Sequence, residues 1–281
     1  MNIFGNDVQL WIKQFKANKY KFLFSEEYLN FLSSKSDSDI EKGLCDIIER
    51  PIKNYDFYNY YYYVMWYKAL QKAAKQNTVN VLEIASGDED MIPQTMDKMF
   101  SKDSQYITFN MNKILTEGLY RKTKELAISV LVIEEDAKLI PDYFEPGYFD
   151  VIVFQHSIND VIQSILCDKE GVDTINSSWM EVLPDMIKIM QRELREGTLE
   201  QHVKIEFLKL ISNCMETLSQ DGMMVINHYM FQLDLDWGYP YELWHDMLPI
   251  VRKWILESSL MLEEIEFEEF DRQWWMFLRK K

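Results

Sequence analysis

The sequence has few cysteines, and they show no pairing pattern. Cys45, Cys167 and Cys214 are far apart and odd in number among 281 residues. They provide neither a disulfide framework nor a zinc-ligand spacing, which is typical of proteins of the reducing cytoplasm. The N-terminus also lacks the apolar core of a signal peptide, and no stretch approaches the roughly 18 apolar residues of a membrane span. We expect a soluble cytoplasmic protein with no membrane partner.

Positive charge is scarce as well. The formal net charge is −16, and the acidic residues are spread along the whole chain rather than gathered in a tail. Such a surface repels phosphate backbones, so we expect no nucleic-acid partner. What the chain does have is apolar material, 47% of residues with 14% aromatic, which is ample for a packed core and excludes global disorder.

One stretch has the pattern of a strand, a tight turn and a helix. Residues 79–84 form a short apolar, β-branched run typical of a buried parallel strand. Ala85, Ser86 and Gly87 follow, and small residues let the backbone turn sharply and let a ligand approach it. Residues 94–100 then have helical composition. In α/β sheets, a strand followed by a tight turn and a helix often binds nucleotide-like ligands. An ordinary strand-to-helix turn has the same local pattern.

From residue 79 onward, predicted strands and helices alternate, which indicates a parallel sheet with crossover helices. The predicted strands are residues 79–84, 105–109, 129–133, 149–154, 223–227, 260–267 and 273–279. The last two are separated by too few residues for a parallel crossover, so they must pair as an antiparallel hairpin. The predicted fold is therefore an α/β, Rossmann-like, seven-stranded and mostly parallel sheet that ends in an antiparallel hairpin.

The N-terminal quarter is predicted to be helical. Residues 7–33 have helical spacing of apolar positions, and residues 38–41 have the pattern of a capping box for a helix that Pro51 ends. A third helix, over about 55–75, carries aromatic residues on every face of its first three turns. It is either buried or a contact between two copies in a homodimer. It could also be a lid whose tyrosine hydroxyls, such as that of Tyr62, point toward a ligand, and this is compatible with burial.

These patterns divide the chain into two predicted domains. Residues 1–76 would form a helical cap or lid, and residues 77–281 would form the sheet domain. The connection between strands four and five holds more helix than one crossover requires, so we predict a helical insertion at about 161–205.

Four segments, taken together and in order, resemble motifs of a known family. They are L-E-I-A-S-G at strand one, Glu135-Asp136-Ala137 after strand three, F-D-V-I-V-F-Q-H-S-I-N-D at strand four and L-S-Q-D-G-M-M-V-I at strand five. From about residue 79 to 281 the sequence resembles class I S-adenosylmethionine-dependent methyltransferases of the small-molecule type. That family has a seven-stranded sheet with an antiparallel last strand. The resemblance implies S-adenosylmethionine as cofactor, S-adenosylhomocysteine as product and methyl transfer as the activity.

The resemblance also implies a set of cofactor contacts, with Glu83 at the methionine amino group, Gly87 under the cofactor and Asp136 at the adenine amino group. The full set is Glu83, Ala85, Ser86, Gly87, Asn110, Met111, Asp136, Ala137, Gln155 and Tyr62. Two departures stand out. The family prefers glycine where Ala85 and Glu89 stand, and it usually has an acid, which grips the ribose hydroxyls, where this chain has Asn110.

Two histidines directly follow predicted strands four and five, at the edge where open α/β sheets bind ligands. His156 and His228 could each act as a general base because histidine titrates near neutrality. We favour His156, with Asp160 four residues later as its orienting partner; alternatively, each histidine only shapes the pocket. His228, Asp234, Asp236 and His245 match no recognised metal-ligand spacing, so we predict no metal.

The substrate pocket should come from the N-terminal helices, the insertion and the loop at 229–241. Their aromatic residues predict a closed pocket for a small molecule, and their acids would suit an amine-bearing acceptor or form a solvated surface. The nucleophile would be an oxygen or a nitrogen. Two alternatives stay open: a nicotinamide-dependent oxidoreductase, although G-x-G-x-x-G is missing, and a non-catalytic protein that kept the fold.

Overall fold

The sheet is the framework of the molecule, and its strands are the apolar runs of the sequence. The structure, a computed structural model, describes residues 7–53 and 55–281. Residues 1–6 of the predicted cap and Asn54, which begins the tyrosine-rich segment, lie outside the described residues. The described strands are β1 Asn80–Ile84, β2 Gln105–Phe109, β3 Ser129–Ile133, β4 Phe149–Gln155, β5 Leu218–Asn227, β6 Leu262–Ile265 and β7 Trp275–Lys280.

The strand order within the described residues is β3-β2-β1-β4-β5-β7-β6. β1 to β5 pair in parallel, whereas β7 is antiparallel to both β5 and β6. This confirms the predicted Rossmann-like sheet with its antiparallel final hairpin. Because the strand order reverses beside β1, ligands are expected in the crevice at the carboxyl ends of β1 and β4.

Helices cover both faces of the sheet. They are α1 Val8–Lys16, α2 Glu26–Ser33, α3 Asp37–Glu49, α4 Tyr58–Ala73, α5 Met91–Met99, α6 Lys113–Thr123, α7 Ile140–Tyr143, α8 Ile158–Glu170, α9 Trp179–Glu196, α10 Leu199–Thr217, α11 Gln232–Trp237 and α12 Tyr241–Leu256. Among them, none has the length and apolar character that crossing a bilayer requires.

Two boundaries in the N-terminal region differ from the prediction. The continuous helix over 7–33 is broken after α1, where Asn18 has a φ of 51° and the chain turns into a short 3₁₀ helix, Lys21–Leu23. The capping box of α3 is formed by Ser36 and Asp39, two residues earlier than predicted. Ser36 Oγ accepts from the Asp39 amide at 3.2 Å, and Asp39 Oδ2 accepts from the Ser36 amide at 3.1 Å.

The aromatic helix α4 is buried by the rest of its own chain. Trp66 packs edge-on to Trp275 of β7 with ring centroids 4.9 Å apart, and Tyr61 lies 4.7 Å from Trp11 of α1. Tyr62 is fully buried. The sheet on one side and the N-terminal helices on the other thus explain why this helix is apolar all round. The homodimer and the division at residue 76 stay predictions.

Candidate functional site

A cavity of about 950 Å³ opens at the carboxyl edge of the parallel strands. Its wall has two parts with different origins. The strand half is formed by residues that follow β1, β2 and β3: Ala85, Gly87, Asn110, Met111, Asp136 and Ala137. The helix half is formed by α8, α11 and their flanking loops: Asn159, Asp160, Gln163, Phe231, Asp234 and Tyr239. His156 also lines the cavity.

The turn after β1 exposes main-chain atoms to the cavity, because Gly87 has no side chain. Ala85 extends the strand pairing, since its amide donates to the Phe109 carbonyl at 3.0 Å, and it then turns with a φ of 54°. Gly87 has a φ of 60° and no side chain to cover the wall. A left-handed φ is costly for an L-residue, so holding alanine there stores strain on the order of 1 kcal/mol.

Asn110 ties this turn to the rest of the sheet edge. Its Nδ2 group donates to the Gly87 carbonyl at 2.8 Å and to Thr116 Oγ1 of α6 at 3.2 Å. A carboxylate at this position could make neither bond as a donor, and it would face the Gly87 carbonyl oxygen. The structure therefore gives a physical reason for asparagine where the resemblance led us to expect an acid.

Asp136 and Ala137 form the outer rim of the strand half. Asp136 Oδ1 accepts from the Lys138 amide at 2.9 Å, while its Oδ2 lies 3.8 Å from Lys138 Nζ. The Asp136 side chain is 43% exposed, so its carboxylate retains free acceptor capacity toward the cavity.

Glu83, predicted to bind the cofactor, is buried and does not line the cavity. Its Oε2 accepts from the Tyr106 hydroxyl at 2.6 Å, and its Oε1 is buried with no partner among the described residues. Burial raises the pKa of this carboxyl to about 8, against the opposing effect of the Tyr106 bond. The predicted contact with the methionine amino group, made directly or through water, stays a prediction: Glu83 lies inside the sheet, and its raised pKa favours the protonated carboxyl near neutral pH.

Three other predicted contacts are also off the cavity wall. Ser86 Oγ accepts from Thr108 Oγ1 at 3.0 Å between β1 and β2. Gln155 is buried, and its amide nitrogen points to Met91 Sδ at 3.9 Å. Tyr62 accepts from Arg50 at 2.8 Å. These three side chains are buried behind the cavity wall, and Gln155 Oε1 has no partner among the described residues.

His156 lines the cavity in an unusual conformation. Its φ is 52°, its ring stacks on Tyr229 with centroids 4.0 Å apart, and its Nδ1 accepts from the Tyr229 amide at 3.3 Å. Burial, and next the charge of His228, hold the pKa of His156 well below its usual range. The ring is therefore neutral, and with Nδ1 accepting, the proton is on Nε2.

This geometry corrects the prediction of His156 as a general base oriented by Asp160. The Nδ1 lone pair is occupied, and Nε2 carries the proton, so the ring can donate a hydrogen bond but cannot take a proton at neutral pH. No hydrogen bond joins His156 to Asp160 among the described residues. The reason is local: α8 begins at Ile158, so the helical i, i+4 relation does not apply to residue 156.

His228 is also not placed to act as a base. It is fully buried, and its Nε2 lies 3.1 Å from the Trp244 carbonyl, to which it donates. Burial lowers the pKa of His228 to about 3. The His228 ring stacks on that of His156 with centroids 4.8 Å apart, and His228 does not line the cavity.

The helix half contains two carboxyl groups, Asp160 and Asp234, whose pKa values are raised by their surroundings. Asp160 accepts from Asn159 Nδ2 at 2.9 Å, and burial together with the charge of Asp234 raises the pKa of Asp160 to about 7. Asp234 Oδ2 accepts from the Phe231 amide at 3.1 Å and from Trp244 Nε1 at 3.3 Å. Burial raises the pKa of Asp234 to about 6.

Sequence reasoning missed Asn159 and Gln163 as cavity residues. Gln163 follows Asn159 by four residues on α8, so both occupy one helix face, and this spacing was the available signal. Within the described residues, no group of three or more histidine, cysteine or acidic side chains is arranged to hold a metal ion.

No family model and no curated protein matches this chain. Solved structures are similar to it in fold. The protein PH0851 is 11% identical with a TM-score of 0.50, over 78% of this chain and 45% of its own, so this chain spans less than half of that protein. A SAM dependent methyltransferase from Aquifex aeolicus is 10% identical, with a TM-score of 0.46 over 76% of this chain and 87% of its own. The CurJ carbon methyltransferase is 14% identical, with a TM-score of 0.46 over 97% of this chain and 69% of its own. At sequence identities this low, the similarity concerns the fold alone.

Proposed function

We propose that this chain is a class I methyltransferase that transfers the methyl group of S-adenosylmethionine to a small molecule. One observation supports the proposal most: one cavity joins the turn after β1, where Gly87 has no side chain, to the acidic and aromatic residues of the helix half. Such a cavity can hold a nucleoside-bearing methyl donor beside a second ligand. It lies beside β1, where the strand order reverses, and this is the place at which open α/β sheets bind nucleotides.

The residues of the strand half fit the cofactor. Gly87 has no side chain between its backbone and the cavity, so a flat ligand can lie against it. Asn110 uses its amide nitrogen on protein atoms, which leaves its oxygen to accept one ribose hydroxyl. Asp136 would accept from the adenine amino group, and the Ala137 amide would donate to the adenine ring.

When bound, S-adenosylmethionine supplies a methyl group activated by a sulfonium. The chain's task is then to orient the acceptor in line with that methyl and to exclude water. His156 would donate from Nε2 and hold an acceptor atom, and Asp160 would take a proton from the nucleophile. Asp160 replaces His156 as the proposed base because its pKa of about 7 allows it to accept and release protons near neutrality.

The acceptor is proposed to be a small molecule because helices α8 and α11 wall the helix half, and because a net charge of −16 disfavours nucleic acid. Cytoplasmic location and a homodimer stay predictions of the sequence.

Binding of S-adenosylhomocysteine, measured by calorimetry, tests the proposal. We expect one site per chain, no binding of nicotinamide dinucleotides, and transfer of tritium from methyl-labelled S-adenosylmethionine to an acceptor. Absence of S-adenosylhomocysteine binding would refute the proposal. Binding without transfer to any acceptor would favour a non-catalytic protein that kept the fold.

A further inference from the structure

The helix half holds two largely buried carboxyl groups, Asp160 and Asp234, while the lysine of α8 on the cavity wall, Lys169, donates to the His202 carbonyl instead. Asp160 and Asp234 are close enough for the charge of one to raise the pKa of the other. Among the described residues, neither carboxyl forms an ion pair with a lysine, arginine or histidine. Carboxyl groups withdrawn from water cost free energy unless a positive group joins them. Asp160 and Asp234 therefore lack a partner of opposite charge within the part of the chain that the structure describes.

Two buried amides in the same wall have polar atoms that no group among the described residues satisfies. Asn159 is 6% exposed, and its Oδ1 has no partner within residues 7–53 and 55–281. Gln163 is 1% exposed; its Oε1 accepts from the Tyr239 hydroxyl, but its Nε2 has no partner in the same described part of the chain. Buried polar side chains are normally paired, so unpaired atoms on a cavity wall indicate a ligand that completes them.

The acceptors of this wall match the donors of an ammonium group. Asn159 Oδ1 and the free oxygens of Asp160 and Asp234 can each accept one hydrogen bond, and a primary ammonium has three N–H donors and no acceptor. Aromatic rings stand nearby: Tyr55 stacks on Phe231 at 5.3 Å, and both line the cavity. Aromatic faces attract cations and pack against flat apolar groups.

We propose that Asp160 and Asp234 bind the amino nitrogen of the methyl acceptor, and that this acceptor is an amine on a flat, aromatic body. The proposal rests on the methyltransferase function proposed above and names its substrate class.

The corresponding reaction is balanced without a further reactant. The ammonium of the acceptor gives one proton to the Asp160 carboxylate and becomes a neutral amine. The nitrogen lone pair forms a bond to the methyl carbon, the carbon–sulfur bond breaks, and its electron pair stays on sulfur. The product is an N-methylated ammonium, and the proton on Asp160 leaves to solvent.

Three matched probes test the proposal on the full chain saturated with S-adenosylhomocysteine. They are 2-phenylethylamine, which is cationic, 2-phenylethanol, which is neutral, and 3-phenylpropanoate, which is anionic. We expect calorimetry to detect only the amine, and Asp160→Asn or Asp234→Asn to weaken its binding at least about 10-fold, because each removes a carboxylate from a partly desolvated charge pair. Asp236→Asn is the matched control, since Asp236 lies on the same short helix, is exposed and does not line the cavity.

The outcomes separate this proposal from the function it rests on. If the amine fails to bind, binds no better than the alcohol, or binds Asp160→Asn and the parent chain equally, the amine proposal is overturned. S-adenosylhomocysteine binding in the same samples would then still support a methyltransferase. If the amine binds as expected but S-adenosylhomocysteine does not, the amine site stands and the methyltransferase proposal fails.

Discussion

The two halves of the cavity are built on different principles. The strand half presents backbone and short side chains, and its key hydrogen bonds, such as Asn110 to the Gly87 carbonyl, are satisfied within the protein. The helix half presents two carboxyl groups with raised pKa values and two buried amides with unpaired atoms. The comparison teaches that the strand half is held in place by hydrogen bonds within the protein, whereas the helix half has buried polar atoms that are unpaired among the described residues and can take a ligand.

The largest expected effect comes from filling the strand half. Gly87→Val places a branched side chain where the proposed cofactor lies against the backbone, and we expect S-adenosylhomocysteine affinity to fall at least about 100-fold, through steric exclusion and left-handed strain. Calorimetry measures this. Gly197→Val is the control, because Gly197 has a similar φ of 66° at the end of α9 with nothing within 4 Å of an added Cβ. Equal loss in both variants would mean that the effect is general destabilisation.

The second effect concerns stability in the helix half. The folded pKa of Asp160 is raised from 3.8 to about 7, so its contribution to stability is fully present below pH 3.8 and is lost as pH rises through 7. Asp160→Asn keeps the shape without the charge. The full pKa shift corresponds to about 4 kcal/mol, and because Asp160 is partly exposed we expect about half of this, a rise of about 2 kcal/mol in the free energy of unfolding at pH 8. Urea denaturation at pH 4 and pH 8 measures the difference. A variant that is less stable than the parent at pH 8 would mean that the carboxylate is satisfied by the protein.

A smaller effect is expected at Asn110, whose hydrogen bond to the Gly87 carbonyl holds the turn of the strand half in place. Asn110→Asp replaces the donor to the Gly87 carbonyl by an acceptor, and we expect S-adenosylhomocysteine affinity to fall about 10-fold, since one hydrogen bond becomes a repulsive contact. A rise in affinity would instead show that a carboxylate at this position grips the ribose as in the family pattern. Isothermal titration at pH 7.5 distinguishes the two results.

The smallest effect concerns the strained turn. Ala85→Gly should stabilise the fold by about 0.5–1 kcal/mol, because glycine adopts a φ of 54° without steric cost. Ala74→Gly is the matched control, with a φ of −93° at the end of α4, and it should destabilise by a similar amount through unfolded-state entropy. Thermal unfolding followed by circular dichroism measures both. The same sign in both variants would mean that Ala85 is not strained.

The sheet could be predicted from the sequence because its signals are local. β2 and β3 coincide with predicted residues 105–109 and 129–133, since each is a short apolar run between turn residues. The strand half followed directly, because Gly87, Asn110 and Asp136 come just after strands whose carboxyl ends meet at one edge.

The roles of His156 and of Asp160 in the helix half could not be predicted, because they depend on distant contacts. The tautomer of His156 is set by the amide of Tyr229, which is 73 residues away in the chain. Likewise, the raised pKa of Asp160 depends on Asp234, which the fold brings to the same half of the cavity. Spacing along the sequence contains no signal for either relation.

A crystal structure of the chain grown with excess S-adenosylhomocysteine tests the proposed division of the cavity most directly. We expect the nucleoside to lie along the backbone at Gly87, with its adenine amino group against Asp136 and its sulfur facing Asp160 and Asp234. Electron density for the ligand elsewhere, or a strand half filled by the protein's own side chains, would contradict it.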